Sequence, residues 1–245
     1  MAAKKTDIIA ALQKEILSLN GIKTPAISSG LPKGLNFMIH HLPTGIFPVN
    51  GVHEFLCEKP SELSSTYGFI TGLLSSCMNI KGMIVWICRE SFIFPPAILS
   101  FDINPEKIIF IHPSSEKETL WVIEEALKCS SLSAVIAEIN ELNFTNSRRF
   151  QLLIEQSRVP GFILKLRPQK SVSTACISKW KISSSPGHKG NDIPGVGHPS
   201  WKVELLKMRN GKPGSWEIQW RDHSFVELQS PEITEILPDF QKKTG

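Results

Sequence analysis

The hydrophobic positions change their spacing several times along the chain, and each change marks a new element. Within 6–20, Ile8, Ile9, Leu12, Ile16, Leu17 and Leu19 recur at helical intervals, with Thr6 placed to cap the helix. A linker with Pro25, Gly30, Pro32 and Gly34 follows, and Pro43, Gly45 and Pro48 mark turns before an apolar strand at 52–57. A polar turn then leads into a helix at 64–79, apolar along Phe69, Ile70, Leu73, Leu74, Cys77 and Met78. Lys81-Gly82 ends that helix, and 83–88 is a continuous apolar strand. The alternation continues with a short helix at 92–100, a strand at 107–111, a helix at 116–129, a strand at 133–138, a helix at 146–158 and a strand at 161–165. Strands apolar on both faces, alternating with helices, predict an α/β fold with a mainly parallel sheet covered on both sides.

Beyond Pro168 the pattern changes. Residues 174–183 set Ala175 and Ile177 against Lys179 and Lys181 and read as a half-exposed strand. A Gly/Pro-rich loop covers 184–200, and 201–208 and 215–220 flank the turn RNGKPG as a β-hairpin. The sheet is therefore expected to gain an antiparallel extension. The organisation predicted is an N-terminal amphipathic helix and linker at 1–34, a core domain at 35–228 and a peripheral acidic tail at 229–245.

A chain of 245 residues, 41% hydrophobic and 20% charged, is ordinary globular composition for about one α/β domain. No apolar run approaches the roughly 20 residues that span a bilayer, and the N-terminus lacks a signal-peptide pattern, so a cytoplasmic protein without membrane contact is expected. Five widely spaced cysteines with no C-x-x-C pair suggest reduced core thiols rather than zinc or disulfides. His40, His41, His112 and His198 fall at no catalytic or metal-binding spacing.

Charge is uneven. Residues 1–146 carry 11 Lys/Arg against 14 Asp/Glu, residues 147–221 carry 14 against 4, and residues 222–245 carry 2 against 5. The basic middle segment fits either a polyanion or acidic protein partner, or a solvated sheet edge guarded by lysines. Trp180, between Lys179 and Lys181, is expected to be an exposed contact, whereas Trp201, Trp216 and Trp220 read as core.

The turn after the first strand holds the candidate chemistry. Over 57–64 the phosphate-loop pattern G-x-x-x-x-G-K-[ST] keeps only Ser64; Cys57 and Glu62 replace the glycines and Leu63 replaces the lysine. A leucine cannot donate to a phosphate, and Glu62 would add like charge beside it. Lys59 is the one cation inside the window.

The order of elements over about residues 35–225 resembles RecA-type recombinases. More specifically, the strings PTGIFPVNGVHEF, RESFIFPPAILSFDINPEKIIFI, EEALKC, SRRFQLLIEQSR, PGVGHPSWKVELLK and RNGKPGSW, in that order, resemble the ImuA family of RecA-like accessory proteins in inducible mutagenesis cassettes. The resemblance implies a RecA-like fold. It places Glu138 where an aspartate helps hold Mg²⁺, Glu90 where a glutamate activates water, and Lys207 and Arg209 where two lysines reach a neighbour's nucleotide. It also implies a partner, a Y-family polymerase-like (ImuB-like) protein of the same cassette. The two stretches corresponding to DNA-binding loops, NELNFTNSRR and RPQKSVSTA, are short, so any DNA contact is expected to be weak and non-specific; Arg167 lies in the second.

The expected function is a non-catalytic adaptor in DNA-damage-induced translesion synthesis, with no cofactor and no metal. Partner or DNA contacts are assigned to Arg148, Arg149, Lys170, Lys179, Lys181, Lys207, Arg209 and the N-terminal helix, and self-association is a further expectation. A divergent RecA-type ATPase or recombinase, and an inhibitor of cell division with a degenerate RecA-like fold, are the alternatives.

Overall fold

A computed structural model describes residues 34–45, 47–77, 80–89, 93–168, 172–186 and 197–228. The expected N-terminal helix, most of the Gly/Pro-rich loop, the tail, Glu90 and Lys170 lie outside the described residues. Nine strands form one sheet: β1 Val52–Cys57, β2 Ile84–Ile87, β3 Ile108–Ile111, β4 Ala134–Ile139, β5 Gly161–Leu166, β6 Ser178–Ser184, β7 Ser200–Met208, β8 Gly214–Arg221 and β9 Ser224–Glu227. Their spatial order is β3-β2-β4-β5-β1-β6-β7-β8-β9. The first six in that order are parallel to one another, and β7, β8 and β9 add as successive antiparallel neighbours. This is the RecA-like α/β arrangement expected, with its antiparallel extension.

Helix α1 (Pro60–Cys77) covers one face of the sheet; α2 (Glu116–Lys128) and α3 (Phe144–Ser157) cover the other. Because the parallel strands are covered twice, their side chains feed two cores. Phe55, Phe162, Leu164 and Trp86 join Phe69, Ile70, Leu73 and Leu74 of α1. Val85, Val135, Ala137 and Ile163 join Ile123 and Leu127 of α2 and Phe150 and Ile154 of α3. Ser115 and Asn143 cap α2 and α3 by accepting from Glu118 N and Asn146 N.

Three sequence expectations need correction. Trp180 is not an exposed contact: it is 0% exposed, stacked near Phe55 at 6.3 Å. The reason is phase. The strand begins only at Ser178, so Trp180 and Ile182 face the α1 core and Lys179 and Lys181 face away; before it, Thr174 meets Glu54 and Cys176 joins the α3 core on the other face. The helix expected at 64 begins at Pro60, inside the loop window. A further strand, β9, follows β8 through Asp222 and His223, both at positive φ. That pair makes the tight turn whose usual signature is Asn-Gly, and Asp-His concealed it.

Strand β1, read as apolar, carries two fully buried polar residues, His53 and Glu54. His53 stacks between Phe47 (4.9 Å) and Phe162 (5.3 Å). Its Nε2–H donates to Pro48 O at 3.0 Å, and its Nδ1 lies 2.6 Å from Ser178 Oγ, which also accepts from Trp180 Nε1. Ser178 therefore donates to His53. Burial lowers the imidazole pKa from 6.5 to about 3, although the Pro48 hydrogen bond works the other way. Between those values the unfolded chain binds a proton that the folded chain refuses, so stability falls on acidification by up to about 1.4 kcal/mol per pH unit. Denaturant midpoints followed from neutral pH to about pH 5 should show this slope, and His53→Phe, which keeps the stack, should flatten it. An unchanged slope in the variant would assign the acid sensitivity to another group.

Candidate functional site

The parallel strands point their C-terminal ends at a cleft of about 810 Å³, lined by Cys57, Lys59, Pro60, Leu63, Ser64, Arg89, Pro113, Ser114, Glu138, Asn140, Leu166 and Arg167. This is where ligands sit in open α/β sheets. The degenerate loop window, 57–64, forms one wall.

That window does not form a wide phosphate-binding turn. Only Glu58 and Lys59 separate β1 from α1. Pro60 occupies the first helical position, where its missing N–H costs nothing. Three residues into the helix start, Glu62 reaches back, and its Oε2 accepts from Glu58 N at 2.7 Å and Lys59 N at 3.2 Å. Lys59 O in turn accepts from Glu62 N and Leu63 N. The carboxylate thus holds amides at the place where a phosphate would need them. Leu63 packs against the α1 core, Ser64 is exposed, and Cys57 Sγ lies 3.5 Å from Thr66 Oγ1.

At the end of β4, Glu138 is 4% exposed and accepts a hydrogen bond from the Tyr67 hydroxyl of α1. Burial, and then the Glu138 charge, push the Tyr67 pKa far above its ordinary value, so the tyrosine remains a donor. Burial likewise pushes the Cys57 and Cys88 thiols up to about 12, so neither is a thiolate at neutral pH. Among the described residues no group of three or more His, Cys, Asp or Glu side chains converges to hold a metal.

The basic residues singled out from sequence do not form one patch. Lys179 Nζ pairs with Glu54 of β1 at 3.3 Å, with side-chain exposures of 14% and 0%. Lys181 Nζ is 2.7 Å from Glu58 and 3.9 Å from Glu62, so it braces the loop; the Glu58 hydrogen bond raises its pKa. Arg149 of α3 pairs with Glu124 of α2 at 2.6 Å. Arg209 donates from Nη2 to Ala175 O at 2.8 Å. Arg148 and Lys207 are exposed, with no ion-pair partner among the described residues.

Lys207 pairs in register with Lys179, level with Glu54, and Met208 with Ser178, level with His53. The hairpin's Lys207 and Arg209 thus lie toward the opposite end of the parallel strands from the cleft. A bulge between Lys179 and Trp180 shifts the register there, so strict alternation along β7 does not hold up to Lys207.

Sequence reasoning missed Glu54, whose Oε2 accepts from Thr174 Oγ1 at 2.6 Å while Oε1 has no partner among the described residues. An acid inside an apolar strand run was the available signal. It also missed the Glu62 cap, which Pro60 followed by Glu two residues on could have indicated.

No family model matches the chain. It is 31% identical over 208 residues to the Protein ImuA of Caulobacter vibrioides strain NA1000 / CB15N, covering 80% of this chain and 84% of that protein. The same figures hold for the Protein ImuA of Caulobacter vibrioides strain ATCC 19089 / CIP 103742 / CB 15.

Two internal contacts make measurable claims. Glu62→Ala should lower the denaturant-derived stability by about 1 kcal/mol, the worth of a lost helix cap. Lys179→Ala should cost roughly 3–5 kcal/mol because it leaves Glu54 buried and unpaired, whereas Glu54→Leu with Lys179→Met should recover most of the loss. A Lys179 that served only an outside partner would change stability by less than about 0.5 kcal/mol.

Proposed function

The chain belongs to the ImuA family, and from that premise we propose that it is a non-hydrolysing adaptor in DNA-damage-induced translesion synthesis. It acts by bringing a Y-family polymerase-like protein of the same cassette together with DNA-bound partners. The observation that carries the non-hydrolysing part is the Glu62 carboxylate on the amides of Glu58 and Lys59. A triphosphate bound here would have to displace that carboxylate, find no lysine at position 63, and meet Glu138. The residues do not fit a triphosphate.

Contact with the polymerase-like partner is assigned to surfaces with unengaged cations. Lys207 at the hairpin end and Arg148 on α3 are the members of the sequence-derived set that are exposed and have no ion pair among the described residues; Lys179, Lys181 and Arg209 support the fold that presents them. Contact of Arg148 with DNA would be to phosphate, weak and steeply salt-dependent. The proposed setting is the cytoplasm; among the described residues no helix is long and apolar enough to cross a membrane.

Two measurements test the proposal. Calorimetry with ATP and Mg²⁺ should give no saturable heat; micromolar affinity that disappears in Lys59→Ala would restore the divergent-ATPase alternative. In a pull-down the polymerase-like protein should be retained, and Lys207→Glu should weaken retention by about tenfold or more. Arg209 is a poorer choice because its side chain holds Ala175 O. Retention unchanged in Lys207→Glu would remove the hairpin from the interface.

A further inference from the structure

We propose that the cleft at the C-terminal ends of the parallel strands is a docking site for an acidic, partly apolar peptide segment of a partner protein. This assignment deepens the adaptor reading and rests on it for the partner's nature.

The rim carries Lys59, Arg89 and Arg167, delivered by the loops after β1, β2 and β5. All three are exposed, and none has an ion pair among the described residues. That separates them from Lys179, Lys181 and Arg149, whose charges are answered within the molecule. Arg167 is also set in place. Its backbone adopts φ +46°, a conformation that side chains other than glycine rarely take, while its N–H donates to Cys57 O at 2.8 Å. The bond ties the lip of the cleft to the end of β1.

The walls and floor decide what kind of anion fits. Leu63 and Leu166 supply apolar wall between the cations, and Glu138 lies at the floor. A nucleotide or a DNA backbone would bring clustered phosphate charge against Glu138 and Glu62, and would find the loop amides already holding Glu62. A peptide carries its carboxylates singly, on separate flexible side chains. It can place them on the rim cations and bury an apolar side chain between Leu63 and Leu166, with its own backbone kept clear of the floor. Charge complementarity at the rim and apolar burial inside are the two parts of such a site. The cleft's volume lies within the range of small binding clefts, enough for a few side chains.

The test uses the full chain and a fluorescein-labelled peptide of repeating Glu-Leu-Ser-Glu, with its Gln-for-Glu counterpart, ATP and oligo(dT) as comparators. The acidic peptide should bind with micromolar affinity and raise the anisotropy. Binding should weaken by about tenfold or more for the Gln counterpart and for Lys59→Glu with Arg167→Glu, exposed substitutions that leave both cores untouched. ATP and oligo(dT) should not displace the peptide. Equal binding of the Gln counterpart, or of the charge-reversed variant, would overturn the proposal, as would displacement by ATP. Peptide binding that emerges only when the chain is ended at Leu228 would assign the cleft to this chain's own tail and overturn the partner assignment. A failed pull-down of the polymerase-like protein alongside intact peptide binding would sink the adaptor reading while leaving the cleft standing. Intact pull-down without peptide binding would do the reverse.

Discussion

Strand β1 lies between β5 and β6 with both faces covered, and it places two polar side chains in that interior. A buried polar group must be satisfied or it costs several kcal/mol, and here the partners come largely from β6 and the segment leading to it. On the α1 face, Trp180, Ser178 and His53 form one directed chain of hydrogen bonds ending at Pro48 O. On the other face, Thr174 and Lys179 meet Glu54. These contacts fasten β6 to β1 from both sides. Because β7, β8 and β9 add outward from β6, the antiparallel half of the sheet depends on that fastening.

The same strand sets the geometry of the cleft. Where β1 ends, the helix starts after two residues, and Glu62 fills the space by bonding back to the chain that precedes it. The strand–turn–helix is therefore a packing unit, with Phe55 and Phe69 at its centre, and its turn is held by its own carboxylate. Tyr67, one turn further along α1, does the corresponding work at Glu138. The acid at the end of β4 is buried, and a hydroxyl meets it. The surroundings of the cleft are held by contacts internal to the chain.

The sheet was legible in the sequence wherever a strand was apolar on both faces, because such runs admit few other readings: β2, β4 and β5 fall within a residue or two of their expected limits. The half-covered strand is harder to read, because its alternation does not run back through residues 174–176, which pack against Glu54 and α3 on the face opposite Trp180. One residue of phase turns every side chain to the other face, and that slip put Trp180 outside. At the loop, comparison with a phosphate-binding pattern shows which of its residues are missing. It could not show what took its place, since a side chain that returns to its own backbone leaves only a faint trace in spacing.

Charge counting misled in a related way. The segment 147–221 carries 14 basic residues against 4 acidic ones, which suggests a broad cationic surface. Folding brings acids from the earlier, slightly acidic part of the chain against it: Glu54, Glu58 and Glu62 answer Lys179 and Lys181, and Glu124 answers Arg149. Two of the three unpaired rim cations, Lys59 and Arg89, come from that acidic part, where the count gave no hint of a positive site. Net charge over a segment is a property of the unfolded string. Which charges remain to attract a partner is fixed by the strand order, since the order decides which loops gather at the C-terminal ends of the strands and which acids they meet there.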